Sequence, residues 1–270
     1  MVQAPSVSRS AVPVSAWRSV MLVLALGQVA SSVLSRLYGG EFTTADRPGE
    51  PPIVPVGWAF SIWTLVELLC IAYTMWALPA RRPDSDVRNQ LAVPLCVVFA
   101  GFSCWLVAAE VAPVWGTVAV FAVMMSGLVR AMSVALAHRL TIAAWPTAPR
   151  VLLWWMLGVY AGWSTIAVWI NITTAAAGSG APVAGTAGVA AQVAVLAGAT
   201  ATAVVFLRWT RGLLPYALSA GWGLLTAMLG AASAGQPVLS GAAAAGFVIV
   251  TVATAVARRG RAVSDSEDGP

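Results

Sequence analysis

Apolar positions run in long stretches along nearly the whole chain, broken by short segments rich in Pro, Gly and Arg. A hydrocarbon core of ~30 Å needs about 20 apolar residues per helix. Eight stretches reach that length, at roughly 15–37, 54–78, 91–111, 114–136, 151–174, 186–207, 214–232 and 238–257. The pattern predicts an all-α fold, a polytopic membrane helix bundle of about eight transmembrane helices. The first stretch is too long, and lacks a small-residue cleavage pattern in the right place, to read as a signal peptide. The flanking segments, residues 1–14 and 258–270, have the polar composition of disordered cytoplasmic tails.

Composition agrees with the pattern. The chain of 270 residues is 59% hydrophobic and 9% charged, where a soluble domain has about 45–50% apolar and ~25% charged residues. Mean hydropathy is +0.83, and no room is left for a large soluble domain. A net charge of +5 raises the question of nucleic acid, but the arginines are distributed by loop. Arg9 and Arg18 precede the first stretch, Arg81, Arg82 and Arg88 follow the second, and Arg139 and Arg150 follow the fourth. Arg208 and Arg211 follow the sixth, and Arg258, Arg259 and Arg261 follow the last. If eight spans alternate, all of these fall on one side, and the other side holds Arg36 and Arg47 with Glu41, Asp46, Glu50 and Glu110. The positive-inside rule then places both termini in the cytoplasm. The charge is read as topology, and no nucleic-acid partner is expected.

The two parts of the chain differ in character. Most tryptophans lie in the first five stretches, while the last three are built mainly from Ala, Gly, Val and Thr after a break at residues 175–188. Small residues such as Ala194, Gly198 and Thr202 recur every four positions, a spacing that lets helices approach closely. The last three helices, residues 177–257, are therefore expected to pack, and chemistry is sought in residues 15–176. Cys70, Cys96 and Cys104 match no metal spacing and read as small packing residues, and His138 stands alone in a loop. No metal cluster, phosphate loop or nucleophile motif is evident.

Two helix faces carry candidate chemistry. In the second stretch Phe60, Trp63, Thr64, Glu67, Cys70 and Thr74 share a face by three- and four-residue spacing, as do Tyr160, Trp163, Ser164, Ala167 and Asn171 in the fifth. Counting inward at ~1.5 Å per residue places Glu67 and Tyr160 both about 20 Å deep. A charge at mid-membrane costs ~2.5–3.5 kcal/mol on insertion scales, so such a group faces a cavity or a partner. Burial favours the neutral acid; Glu67 is expected to be protonated and hydrogen-bonded to Tyr160, to a polar residue of the fifth helix, or to water. A neutral Glu67 satisfied locally and without function is the alternative. Trp17, Trp76, Trp115 and Trp209 lie at expected interfaces as belt residues, whereas Trp63, Trp105 and Trp163 lie deeper and suit a pocket lining.

These motifs, in this order, resemble the tryptophan-rich sensory protein or translocator protein (TspO/MBR) family. PPIVPVGWAFSIWTLVELLCIAYTMW is similar to that family's loop and second helix, with prolines ahead of a W-x-F-x-x-W-T run, and Tyr160, Trp163, Ile166, Ala167, Ile170 and Asn171 match its fifth-helix pattern. The likeness covers about residues 15–176. It implies a five-helix bundle in which the loop at 38–53 covers a pocket for a tetrapyrrole, a sterol or a similar flat hydrophobic molecule. Pro51, Pro52 and Pro55 are then expected to stiffen the entry to the second helix. Two positions depart from the family: Phe102 stands where an asparagine is expected three residues before Trp105, and Glu67 stands where a tyrosine is expected four after Trp63. The pocket is therefore expected to be chemically altered, and the interest of Glu67 rests on membrane energetics alone. Arg36 and Arg47 pair either with ligand carboxylates such as porphyrin propionates or, as snorkelling or loop residues, with nothing of the ligand.

The leading functional expectation is a membrane protein of the bacterial plasma membrane that binds such a ligand in a Trp-lined pocket for sensing or transport. The ligand-binding candidates are Phe60, Trp63, Thr64, Glu67, Trp105, Tyr160, Trp163, Ala167 and Asn171. No cofactor is required, a porphyrin or other tetrapyrrole being the expected ligand; membrane lipid is a partner, and a homodimer stays open as an assembly. The alternative is a proton-coupled small-molecule transporter with Glu67 as proton site, against which the two parts of the chain show no internal repeat. An enzyme ranks last, since nothing supplies an obvious general base or metal.

Overall fold

The computed structural model describes residues 16–38, 49–79, 85–111 and 114–267. The tail 1–14, Arg47 and most of the loop 38–53 lie outside the described residues. Helices α1 (Ala16–Tyr38), α2 (Ile62–Ala77), α3 (Ser85–Val111), α4 (Gly116–Ala137), the short α5 (Arg139–Ala143), α6 (Thr147–Gly178), α7 (Gly185–Trp209), α8 (Leu214–Ser233) and α9 (Pro237–Glu267) account for the architecture, with no strand among the described residues. All but α5 are long and apolar enough to span a bilayer, α2 together with the 3-10 turn Gly57–Ser61 that leads into it. Two details depart from expectation. α9 continues to Glu267, through most of the segment read as a disordered tail. The prolines precede the 3-10 turn instead of occupying the first turn of α2.

Helix neighbours define two closed rings. α1 packs on α2, α2 on α6, α6 on α4, α4 on α3 and α3 back on α1. α6 also packs on α8, α8 on α9, α9 on α7 and α7 back on α6. α6 is thus common to both rings, and it is buried along most of its length. Such sharing requires small residues where backbones meet. A Cβ built on Gly162 meets the Tyr216 carbonyl oxygen at 2.4 Å, and one on Gly158 meets Pro215 Cβ at 2.8 Å, so glycine is what lets α8 lie against α6. On the other side Gly198 of α7 seats the Trp169 ring, with 2.5 Å between a built Cβ and that ring. Thr202, one turn on, accepts the Trp169 indole N–H at 3.2 Å.

Two arginines read from sequence as loop charges turn out to be interior. Arg18 and Arg88 are fully buried. Arg18 donates to the Ala77 carbonyl at 3.0 Å, and Arg88 donates to those of Ala77 and Pro79 at 2.7 and 2.8 Å. A helix C-terminus leaves carbonyls without intrahelical donors and carries partial negative charge. The first turns of α1 and α3 therefore cap the end of α2. Trp76 joins this assembly, tilted on Trp145 at 4.8 Å and under the Arg88 guanidinium at 5.6 Å. It is half-buried against the protein, whereas Trp17, Trp115 and Trp209 are exposed.

Candidate functional site

α2, α3 and α6 bring their tryptophans together because each places an aromatic on the face that turns into the first ring. Trp63 is the hub. Its ring lies 4.8 Å from Phe102, 5.8 Å from Trp105, 5.7 Å from Tyr160 and 6.2 Å from Trp163, the last two edge-on at 81° and 89°. Phe60 adds another edge-on contact to Trp163 at 5.6 Å. These are the edge-to-face geometries that the ring quadrupole favours. Phe102, at the position where the resemblance led us to expect asparagine, thus extends the aromatic cluster.

A recess opens against this cluster, lined by Pro55, Phe60, Trp63, Trp105, Trp163, Ile166, Ala167, Ile170 and Asn171. It measures about 310 Å³ counted out through its open side, but only about 20 Å³ of it admits the centre of a water-sized sphere. That is room for about one water, so a flat ligand enters only if the walls part. The lining is almost wholly apolar and carries three indole N–H groups. Trp105 Nε1 donates to Asn171 Oδ1 at 3.1 Å, while the Asn171 amide donates to the Ala167 carbonyl at 2.8 Å. Trp63 Nε1 and Trp163 Nε1 are buried with no hydrogen-bond partner.

Of the residues singled out in the sequence, Phe60, Trp63, Trp105, Trp163, Ala167 and Asn171 line the recess, and Thr64, Glu67 and Tyr160 do not. Thr64 is exposed on the outer face of α2; the helix is rotated so that positions 63, 66, 67 and 70 point inward. Glu67 is buried, at 6% exposure. Its partner is Ser32 of α1, whose hydroxyl donates to Oε1, in place of the expected Tyr160 or another polar residue of the fifth helix. Tyr160 likewise turns to α1, donating to Gln28 Oε1 at 3.1 Å. The reason is azimuth: matching depths bring two residues level, but which helix a side chain faces depends on rotation about the helix axis. Sequence reasoning missed the α1 residues, although Gln28, Ser31, Ser32 and Ser35 on one face of an apolar helix were a legible signal. Cys70 and Cys96 are buried packing residues, and Cys104 is exposed. His138 shares a 3.1 Å hydrogen bond with Gln90. No group of metal-ligating side chains occurs among the described residues.

The last three helices reach this site through the chain that precedes α2. Pro51, Ile53 and Pro55 are buried. Val56 N–H donates to the Thr226 carbonyl at 3.4 Å, Ile53 N–H to Gln192 Oε1 at 3.4 Å, and Trp222 Nε1 to the Ala59 carbonyl at 3.2 Å. Trp222 also meets Trp58 edge-on at 5.3 Å. α7 and α8 thus hold the segment that supplies Pro55 and Phe60 to the recess. Packing was the role expected of these helices; fixing this segment is added to it.

Eight apolar helices, an interior closed by helix–helix packing and a tryptophan-lined recess define an integral membrane protein of the polytopic α-helical class. Its family follows from comparison: the model of a family described as TSPO-like protein matches residues 15–256, and the chain belongs to that family. The match runs from α1 into α9, beyond the five helices that carry the motifs quoted above. No curated protein and no solved structure matches the chain.

Proposed function

We propose that this TSPO-like protein binds a flat, largely apolar molecule, tetrapyrrole or sterol-like, in the tryptophan-lined recess, for sensing or transport. The observation that carries this reading is the pair of buried indole N–H groups, on Trp63 and Trp163, left without acceptors in the recess lining. A buried donor without a partner costs about 1–3 kcal/mol, and a ligand that brings an acceptor recovers part of that on binding. The aromatic edges supply the apolar contact, and the unpaired donors select against a pure hydrocarbon. Because the recess holds about one water, binding is coupled to displacement of Phe60, Trp63 or the segment around Pro55. The arginine distribution supports an orientation with both termini in the cytoplasm, and a bacterial plasma membrane is the location we propose.

Titration of the purified protein with protoporphyrin IX, followed by quenching of tryptophan fluorescence, tests the reading. We expect saturable quenching whose dissociation constant rises about tenfold or more in Trp63→Phe or Trp163→Phe, equivalent to about 1.4 kcal/mol for each lost interaction. Quenching that does not saturate, or that both variants leave unchanged, removes the recess as the binding site.

A further inference from the structure

Glu67 lies one helical turn along α2 from Trp63, behind the recess lining, and ends a polar row that ligand binding leaves unused. α1 supplies the row. Gln28, Ser31, Ser32 and Ser35 follow one another at three- and four-residue spacing, so they share one face of the helix. That face turns into the first ring: Ser32 donates to Glu67 of α2, Ser31 shares a 3.1 Å hydrogen bond with Ser103 of α3, and Gln28 accepts from Tyr160 of α6. The row is incompletely satisfied. Gln28 is fully buried with its side chain against the Cys70 thiol, and the Ser35 hydroxyl is buried without a partner among the described residues. At its end, near the C-terminus of α1, stands the exposed Arg36. The groups acting on the Glu67 carboxyl are Ser32 and Arg36 from α1, Cys70 from its own helix and Tyr160 from α6.

The Glu67 carboxyl has the Ser32 hydroxyl as its partner, and Trp63 stands one turn away on the same helix. The recess stops at Trp63, and Glu67 is not in its lining. A carboxyl that accepts from a hydroxyl can gain or lose a proton without any side chain moving aside. We propose that Glu67 is a proton-exchange site, served by the half-buried Ser32 hydroxyl that donates to it. That hydroxyl takes a proton from the solvent side and releases its own to Glu67, so it ends unchanged. The solvent loses one proton and the carboxylate becomes a carboxylic acid; release is the reverse. The recess thereby has, one turn behind its aromatic wall, a group whose charge changes with pH.

Infrared spectroscopy of the full chain in lipid bilayers without added ligand tests this, by following the protonated-carboxyl C=O stretch between about pH 4 and pH 9. We expect a band that is lost as pH rises, moves to lower frequency in D₂O and is missing from Glu67→Gln. Ser32→Ala is expected to shift its midpoint and to slow its isotope exchange. The wild-type band alone keeps the proposal falsifiable should Glu67→Gln fail to fold. A band that persists unchanged at every pH and does not exchange marks a locked neutral acid, and the complete absence of a Glu67 band marks a permanently ionised one; either overturns the proposal. Equal exchange rates in wild type and Ser32→Ala overturn the role of Ser32.

Discussion

Asn171 shows how a single side chain orders the recess. Its carbonyl oxygen accepts from Trp105 Nε1 of α3 at 3.1 Å, and its own amide is spent on the Ala167 carbonyl a turn earlier, so its orientation is fixed from within α6. Two scales compete for the worth of the Trp105 bond. A buried donor stripped of its acceptor in a soluble core costs about 1–3 kcal/mol, whereas interhelical hydrogen bonds in membranes average ~0.6 kcal/mol and reach ~1.7. The second scale applies, because the unfolded chain in a bilayer also finds partners. Asn171→Ala is therefore expected to lower stability by about 0.6–1.7 kcal/mol, leaving the fold intact, as read from reversible unfolding in mixed micelles. A loss well beyond that range means that Asn171 holds more than Trp105. The part of the site legible in sequence is of this kind: Trp63, Trp163, Ala167 and Asn171 repeat at helical spacing, and spacing decides which residues share a face. That Thr64 faces outward, and that Glu67 and Tyr160 bond to α1 and not to each other, was not legible, since spacing leaves the rotation of each helix against its neighbours open.

At the scale of elements, α6 carries the heaviest constraint because it serves both rings. Gly162 lies under the backbone of α8, with a built Cβ 2.4 Å from the Tyr216 carbonyl oxygen and 2.9 Å from Ser219 Cβ, whereas a Cβ on Gly27 of α1 meets nothing within 4 Å. Alanine at a helix interior gains up to ~1 kcal/mol over glycine from propensity, while forced overpacking costs about 1–3 kcal/mol. At Gly162 the clash wins, since a backbone carbonyl cannot rotate aside as a side-chain tip can. Gly162→Ala is expected to destabilise the protein by about 1–2 kcal/mol net, and Gly27→Ala to be neutral or stabilising by up to ~1 kcal/mol, in the same unfolding assay. Equal effects at the two sites exclude close α6–α8 packing as the reason for glycine. The spans themselves were plain in the sequence because bilayer thickness fixes their length. The hold of α7 and α8 on the segment before α2 was not, because Gln192, Trp222 and Thr226 meet it across more than a hundred residues of chain, beyond any local period.

Across the whole molecule, contacts between chain segments far apart in sequence sort the helix ends into two faces before any charge is considered. On one face Arg18 and Arg88 cap α2, His138 meets Gln90, and a Cβ on Gly212 touches Arg258. On the other, Trp115 Nε1 donates to Ser179 Oγ at 3.0 Å, Gly178 abuts Val114, and Gly230 lies against the Val54 carbonyl. This sorting is the one produced by eight alternating spans, and it was reached in the sequence from the arginines alone. Geometry settles which ends are together, and the proposal that the arginine-rich face is the cytoplasmic one rests on the positive-inside rule. In a variant with Cys70, Cys96 and Cys104 replaced by alanine, a single cysteine at Ala181, exposed between α6 and α7, is expected to react with a membrane-impermeant maleimide in intact cells. A single cysteine at Ala148, exposed at the start of α6, is expected to react only after the membrane is opened. The opposite pattern inverts the protein in its membrane and turns the α1 C-terminus, with the Glu67 row behind it, toward the cytoplasm. Labelling of both sites in intact cells breaks the alternation itself, because α6 alone separates them and would then not cross the bilayer.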